Sequence, residues 1–278
     1  MGVIFALCSL ACSAVNDFLF KLLTGKKTSR GLFVSLAGLC CVLALLPAQG
    51  EWKDMKSTII WGCISGVFSL VGNIFLIEAM SKQSAGICST IYRLNLVAVV
   101  LGAWLFLGEK MDTCLVTGVI CATVAVLCFL GSGNEGGGKK AILGTILVII
   151  ASLLRAGMGL TYKYGFSHGA DPNGVALING VFWVFGGIFY AAAKGELKAG
   201  FDFRLLRLGV LSGLLIAGIV YFMAKSIAVG DVSVVIPIAQ MSFIATFILS
   251  IIFLKEKVNF PKIAGIILGI AAIILLSR

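Results

Sequence analysis

Residues 84–110 and 231–257 are two copies of one apolar segment, 147 positions apart and aligned without a gap. SAGICSTIYRLNLVAVVLGAWLFLGEK in the first answers DVSVVIPIAQMSFIATFILSIIFLKEK in the second, so Phe106-Leu107 falls on Phe253-Leu254 and Glu109-Lys110 on Glu256-Lys257. The same offset pairs Gly62 with Gly209, Ser65 with Ser212, Gly66 with Gly213, Phe75 with Phe222 and Gly118 with Gly265. Nearer the start of each half an offset of 142 pairs Gly2 with Gly144, Ala14 with Ala156 and Lys21 with Lys163. The chain is therefore one unit built twice. The copies are not identical: Arg93 falls on Gln240 and Thr90 on Pro237.

What that unit can be follows from hydropathy. The 278 residues are 60% hydrophobic and 12% charged, and mean hydropathy is +1.09, whereas soluble domains are nearer half apolar and a quarter charged. A spanning helix takes about 20 apolar residues. Ten spans are predicted, at 3–23, 31–47, 58–78, 85–107, 113–130, 141–164, 173–193, 205–225, 232–254 and 260–276. The expected fold is an all-α polytopic membrane protein. A glycine-rich linker at 132–140 separates a first five-helix repeat, 1–131, from a second, 141–278. Five spans per repeat is an odd number, so the second copy lies upside down relative to the first. Such inverted repeats place a substrate site near the midplane between the halves. One chain supplies both halves, so a monomer suffices.

The first span has no basic leader and holds Asn16, Asp17 and Lys21 in its interior, and is read as a retained helix. The net charge of +10 lies mostly in loops and does not point to nucleic acid. Thirteen loop lysines and arginines fall on one face and Lys53, Lys56, Lys110 and Arg278 on the other, which alone puts both termini outside. The nine cysteines lie in apolar spans without metal-site spacing. No metal or cofactor is expected.

The five-plus-five repeat, with each fourth span ending in LGEK or LKEK ahead of a glycine-containing fifth, resembles the drug/metabolite transporter superfamily, and within it the EamA-type transporters. Lys21 and Lys163, late in the first span of each half, are similar to that pattern. The resemblance implies a secondary transporter, often an exporter of amino acids or other metabolites, working by alternating access. It also implies cytoplasmic termini, against the loop charges. The expected location is a bacterial cytoplasmic (inner) membrane. An arginine within TIYRLN, Thr90–Asn95, departs from the family, whose spans are apolar or small there.

Charges within spans are costly and mark function. Arg93, flanked by Tyr92 and Asn95, is the expected principal contact for a substrate carboxylate, phosphate or phosphonate, because guanidinium forms paired hydrogen bonds and stays protonated. Its alternative is an ion pair with Glu78 or Asp17. Arg155 and Lys163 share a face of the sixth span and point to a cavity wall. Asn16, Asn73 and Gln240 are further cavity candidates, and Pro237 is expected to kink the ninth span. Asp17 and Lys21 stand at i, i+4 and are expected to pair, with proton coupling as the other reading. Glu78 and Lys225 are repeat mates of opposite charge at span ends and candidate gate residues. No nucleophile triad, carboxylate pair or phosphate loop points to an enzyme, and the one histidine, His168, lies in a loop.

Span cations outnumber acids, so the leading expectation is a secondary transporter of a small polar metabolite with an anionic group, of the amino acid or other organic acid class. The alternatives are a proton-coupled exporter of cationic or amphipathic compounds and a lipid-handling or accessory membrane protein.

Overall fold

A computed structural model describes residues 1–24, 28–52, 54–107, 112–130, 138–199, 202–230, 235 and 238–276. Pro237, Glu109, Lys110, residue 131 and positions 132–137 of the linker lie outside the described residues. The first repeat comprises α1 (Gly2–Thr24), α2 (Arg30–Leu45), α3 (Met55–Met80), α4 (Ala85–Arg93), α5 (Asn95–Leu107) and α6 (Thr113–Leu130). The second comprises α7 (Gly138–Ser167), α8 (Pro172–Ala193), α9 (Phe203–Val229), α10 (Ser242–Leu254) and α11 (Phe260–Leu276). Side-chain caps start helices where a span leaves water. Ser29 accepts from Leu32 N at the head of α2, and its repeat mate Asp171 accepts from Gly174 N at the head of α8.

Among the described residues there is no strand, and five helices are long and apolar enough to cross a membrane. Large apolar side chains such as Leu105, Phe185, Phe189, Phe253 and Ile267 are exposed on the outside of the bundle, as hydrocarbon contact requires.

The pairing of helices reads as its own image when the repeats are exchanged. α1 packs on α9 and α7 on α3; α2 packs on α9 and α8 on α3; α2 meets α8 and α6 meets α11. The equivalent helices run antiparallel. Gly31 lies against Gly187 and Ala191 while Gly38 lies against Gly180 and Trp183. Likewise Gly118 meets Leu276 and Gly265 meets Phe129. Two equivalent helices that run antiparallel belong to repeats of opposite orientation, so the two five-span units are inverted.

Glycine lets α2 and α8 touch. A Cβ on Gly187 would stand 2.5 Å from Ser35 N, a backbone atom that cannot rotate away. Gly187→Ala is expected to destabilise the protein by about 1–3 kcal/mol, read as a lowered melting temperature in detergent. An unchanged melting temperature would mean that the backbones of α2 and α8 do not meet at Gly187.

The fourth span departs from expectation. Predicted as one helix over 85–107, it breaks at Leu94, with φ −73° and ψ 7°. Met241, which stands 147 positions later ahead of α10, has the same φ −73° and ψ 7°. Both repeats therefore carry the same break, and in the first it needs no proline. α3, α7 and α9 run several residues past their predicted ends, because an amphipathic helix end continues into the interface.

Candidate functional site

Between the halves lies a cavity of about 370 Å³. Its inner wall at mid-span includes Ser13, Asn16, Asp17, Asn73, Tyr92, Arg93 and Trp183. From there the lining runs along α7 (Arg155, Met158, Tyr162, Phe166) and α9 (Ile216, Ile219, Met223) to Leu45 and Pro172, at helix ends on the face that carries Met1. The cavity thus opens toward this N-terminal face.

The floor is ionic. Arg93 Nη2 lies 3.3 Å from Asp17 Oδ2 and also donates to Ser13 Oγ, and both charged side chains are buried. Arg93 is therefore held by a structural partner on α1, the alternative that its sequence context left open. The expected local pair of Asp17 with Lys21 does not form. Lys21 Nζ instead donates to Met80 O at 2.7 Å and Gln83 O at 2.6 Å. The physical reason is that the end of α3 presents carbonyls without helical partners, which attract a cation, while Asp17, buried, takes the buried guanidinium.

Arg155 is different. Its Nη1 donates to Tyr92 Oη at 3.3 Å and its guanidinium stacks 5.0 Å from the Tyr92 ring centroid. Among the described residues it has no carboxylate within ion-pair distance. Guanidinium has five N–H donors, so most of them remain uncommitted on the cavity wall. With Asp17 cancelling Arg93, the lining carries one net positive charge, and it sits on Arg155.

A second layer holds the wall in place. Asn179 donates from Nδ2 to Tyr162 Oη and accepts from Ser65 Oγ at 2.8 Å. Trp183 Nε1 donates to Ser69 Oγ at 2.9 Å, and Asn73 Nδ2 donates to Ser69 O at 2.8 Å. Asn16 Oδ1 accepts from Ser212 Oγ at 2.6 Å.

Of the residues predicted to bind substrate, Arg93, Tyr92, Asn73, Asn16 and Arg155 share the cavity wall. Asn95, buried at the α4–α5 break, and Gln240 and Lys163 are not among its lining residues. Of the coupling and gate candidates only Asp17 lines it. Lys225 is exposed beside Tyr221. The sequence reading names none of Tyr162, Asn179 and Trp183, which line the cavity. The signal for Asn179 was available, as an amide in the interior of an apolar span.

The opposite, distal face is closed by charge. Glu78 Oε1 pairs with Arg30 and accepts from Tyr190 Oη at 2.7 Å, and Lys82 Nζ stands 3.6 Å from Oε2. Glu196 Oε2 accepts from Ser29 Oγ at 3.0 Å and Arg30 N at 2.9 Å. These contacts tie α2, α3 and α8 together.

An inverted ten-span bundle with a midplane cavity narrows the relatives, and comparison identifies them. The EamA-like transporter family matches residues 1–131 and again 142–278. The chain belongs to that family. It is thus a multi-pass membrane protein of the drug/metabolite transporter superfamily. An uncharacterized protein of Methanocaldococcus jannaschii is 34% identical over 76 residues, which span 27% of this chain and 56% of that protein, about half its length. A protein of known crystal structure shares the fold at a TM-score of 0.62, over 99% of this chain and 95% of its own, with 13% sequence identity.

Proposed function

We propose that this EamA-like protein is a secondary active transporter of a small organic anion, of the amino acid or other organic acid class. The observation that carries the reading is Arg155. It is an uncompensated guanidinium braced by Tyr92 on the wall of a midplane cavity. A carboxylate that leaves water for such a site exchanges its hydration for two parallel charged hydrogen bonds. The cavity's low-polarity walls strengthen them. Met158, Phe166, Ile219 and Met223 offer apolar surface to the rest of the molecule.

Transport then follows from the asymmetry of the two faces. The cavity is accessible from the N-terminal face and closed at the distal face by the Glu78 cluster. Release on the far side requires that cluster to part while the N-terminal face closes. The repeats 1–131 and 141–278 are the units that exchange roles, joined by 132–140. The rival reading, proton exchange against cations on Asp17 or Glu78, is weakened because both carboxylates are already engaged by guanidinium groups.

The test is the melting temperature of purified protein in detergent against small carboxylates, amino acids and organic cations. A ligand at about 100 times its dissociation constant stabilises the fold by about 2.7 kcal/mol. A rise with organic anions or amino acids is the expected result. A rise confined to cations, growing with pH, would overturn the anion assignment in favour of proton exchange.

A further inference from the structure

Phe20 on α1 and Tyr162 on α7 stand at equivalent positions of the two repeats, 142 residues apart, in unlike surroundings. Phe20 is buried in one apolar cluster with Leu76 and Ile77 of α3, and its ring meets Phe33 edge-on at 5.8 Å. That packing fills the seam between α1 and α3 toward the closed distal face. Repeat symmetry sends Leu76 and Ile77 to Met223 and Ala224 on α9. Those two side chains line the open cavity, as does Tyr162, whose ring stacks on Phe166 at 5.3 Å. One seam is filled; its image is open.

The frame around the two seams is the same. Gly2 lies against Gly230 and Ser226 O, and its mate Gly144 lies against Gln83 and Ala79 O, the residues 147 positions before them. The α1–α9 and α7–α3 pairs therefore match each other down to single backbone contacts. What differs is one hydroxyl and its partner. Tyr162 Oη accepts from Asn179 Nδ2 on α8, and Asn179 Oδ1 in turn accepts from Ser65 Oγ on α3 at 2.8 Å. In the first repeat the corresponding positions are Phe20 and Ala37, so this bond has no image on the distal face. A buried phenol needs a hydrogen-bond partner. Met223 and Ala224 offer at most a weak thioether acceptor, so burial of Tyr162 against them would give up the bond from Asn179.

We propose that Tyr162 is the gate of the N-terminal face, and that its hydrogen bond from Asn179 holds the gate open. When that face shuts, the Tyr162 ring leaves Asn179 and packs on Met223 and Ala224, as Phe20 packs with Leu76 and Ile77 in this state. Phe20 then leaves its seam in the same step. Tyr162 and Asn179 act as positioning residues for transport. The arrangement explains why two nearly equivalent repeats differ in this structure. The first repeat has an aromatic ring with nothing to give up on burial, and its seam is filled. The second has the same ring with a bonded hydroxyl, and its seam stands open.

This inference rests on the alternating-access reading, and hydrogen–deuterium exchange of the full-length protein in lipid nanodiscs separates the two. Exchange at the shut distal face reads the population of the state in which that face is open. Tyr162→Phe, which gives the second repeat the residue of the first, keeps the ring and should fold. It is expected to raise exchange about three- to tenfold in 17–24 and 72–80, on the side opposite the substitution, the shift that loss of one neutral hydrogen bond allows. Asn179→Ala should do the same, and the double variant no more, because both remove one bond. Adding Met223→Ser to Tyr162→Phe should cancel the rise, since the shut seam loses the side chain on which the ring packs. A change confined to amides beside Tyr162, or effects that add in the double variant, would refute the latch. A rise that survived Met223→Ser would refute the gate. Glu78→Ala, which breaks the distal cluster directly, tests alternating access without the latch. It should raise exchange in 17–24 and 72–80 and lower it in 158–166 and 216–226. If it did the first without the second, alternating access itself would fail.

Discussion

Arg93→Ala is expected to destabilise the protein by about 3–5 kcal/mol, the largest single effect in the chain. The substitution leaves Asp17 as a buried carboxylate without its 3.3 Å guanidinium partner. Breaking a buried pair from one side costs that much because an uncompensated charge remains, whereas an exposed pair is worth about 0–1 kcal/mol. The same logic makes the loss recoverable. Adding Asp17→Asn to Arg93→Ala removes the stranded charge and should return more than half of the stability. Thermal or urea denaturation in detergent, run as a double-mutant cycle, reads both steps. If Arg93→Ala melted like wild type and lost only ligand binding, the residue would be a substrate contact after all. The structural pairing with Asp17 would then be incidental.

The architecture was legible in the sequence because its signals are additive along the chain. Ten apolar stretches, repeat offsets of 142 and 147, and an odd span count each survive errors of a few residues at any boundary. The break at Leu94 was not legible. It has no proline, and its neighbours Tyr92, Arg93 and Asn95 read as polar positions on a continuous helix. Met241 repeats its backbone angles in the second half, which marks the break as a feature of both repeats.

The site was legible as a composition of charge but not as a set of partners. Local spacing favoured Asp17 with Lys21, four residues away. The fold brings in Arg93 from 76 residues away and gives Lys21 the end of another helix. The i, i+4 rule is worth only about 0.2–0.5 kcal/mol. A buried guanidinium, or a helix end without partners, outweighs it. Of five span cations counted toward an anion site (Lys21, Arg93, Arg155, Lys163 and Lys225), only Arg93 and Arg155 line the cavity, and Asp17 neutralises the first. The excess of positive charge singled out Arg93, the less available of the two arginines.

Arg155 should therefore behave in the opposite way to Arg93. Arg155→Gln is expected to leave the melting temperature of the ligand-free protein nearly unchanged, since among the described residues no ion pair is lost. It should weaken binding of any stabilising anion by about 1.5–3 kcal/mol, the worth of hydrogen bonds to a charged group. That is roughly tenfold to more than a hundredfold in dissociation constant. Arg155→Lys separates charge from geometry. A lysine keeps the cation but loses the planar fork and the stacking on Tyr92, 5.0 Å away. If the ligand is recognised as a point charge, the lysine variant binds like wild type. If it is recognised as a planar carboxylate, the variant falls most of the way toward glutamine. Ligand titrations monitored by melting temperature, carried out in all three proteins with the same anion, give the answer. Equal affinities across the three would remove Arg155 from the site and with it the anion assignment.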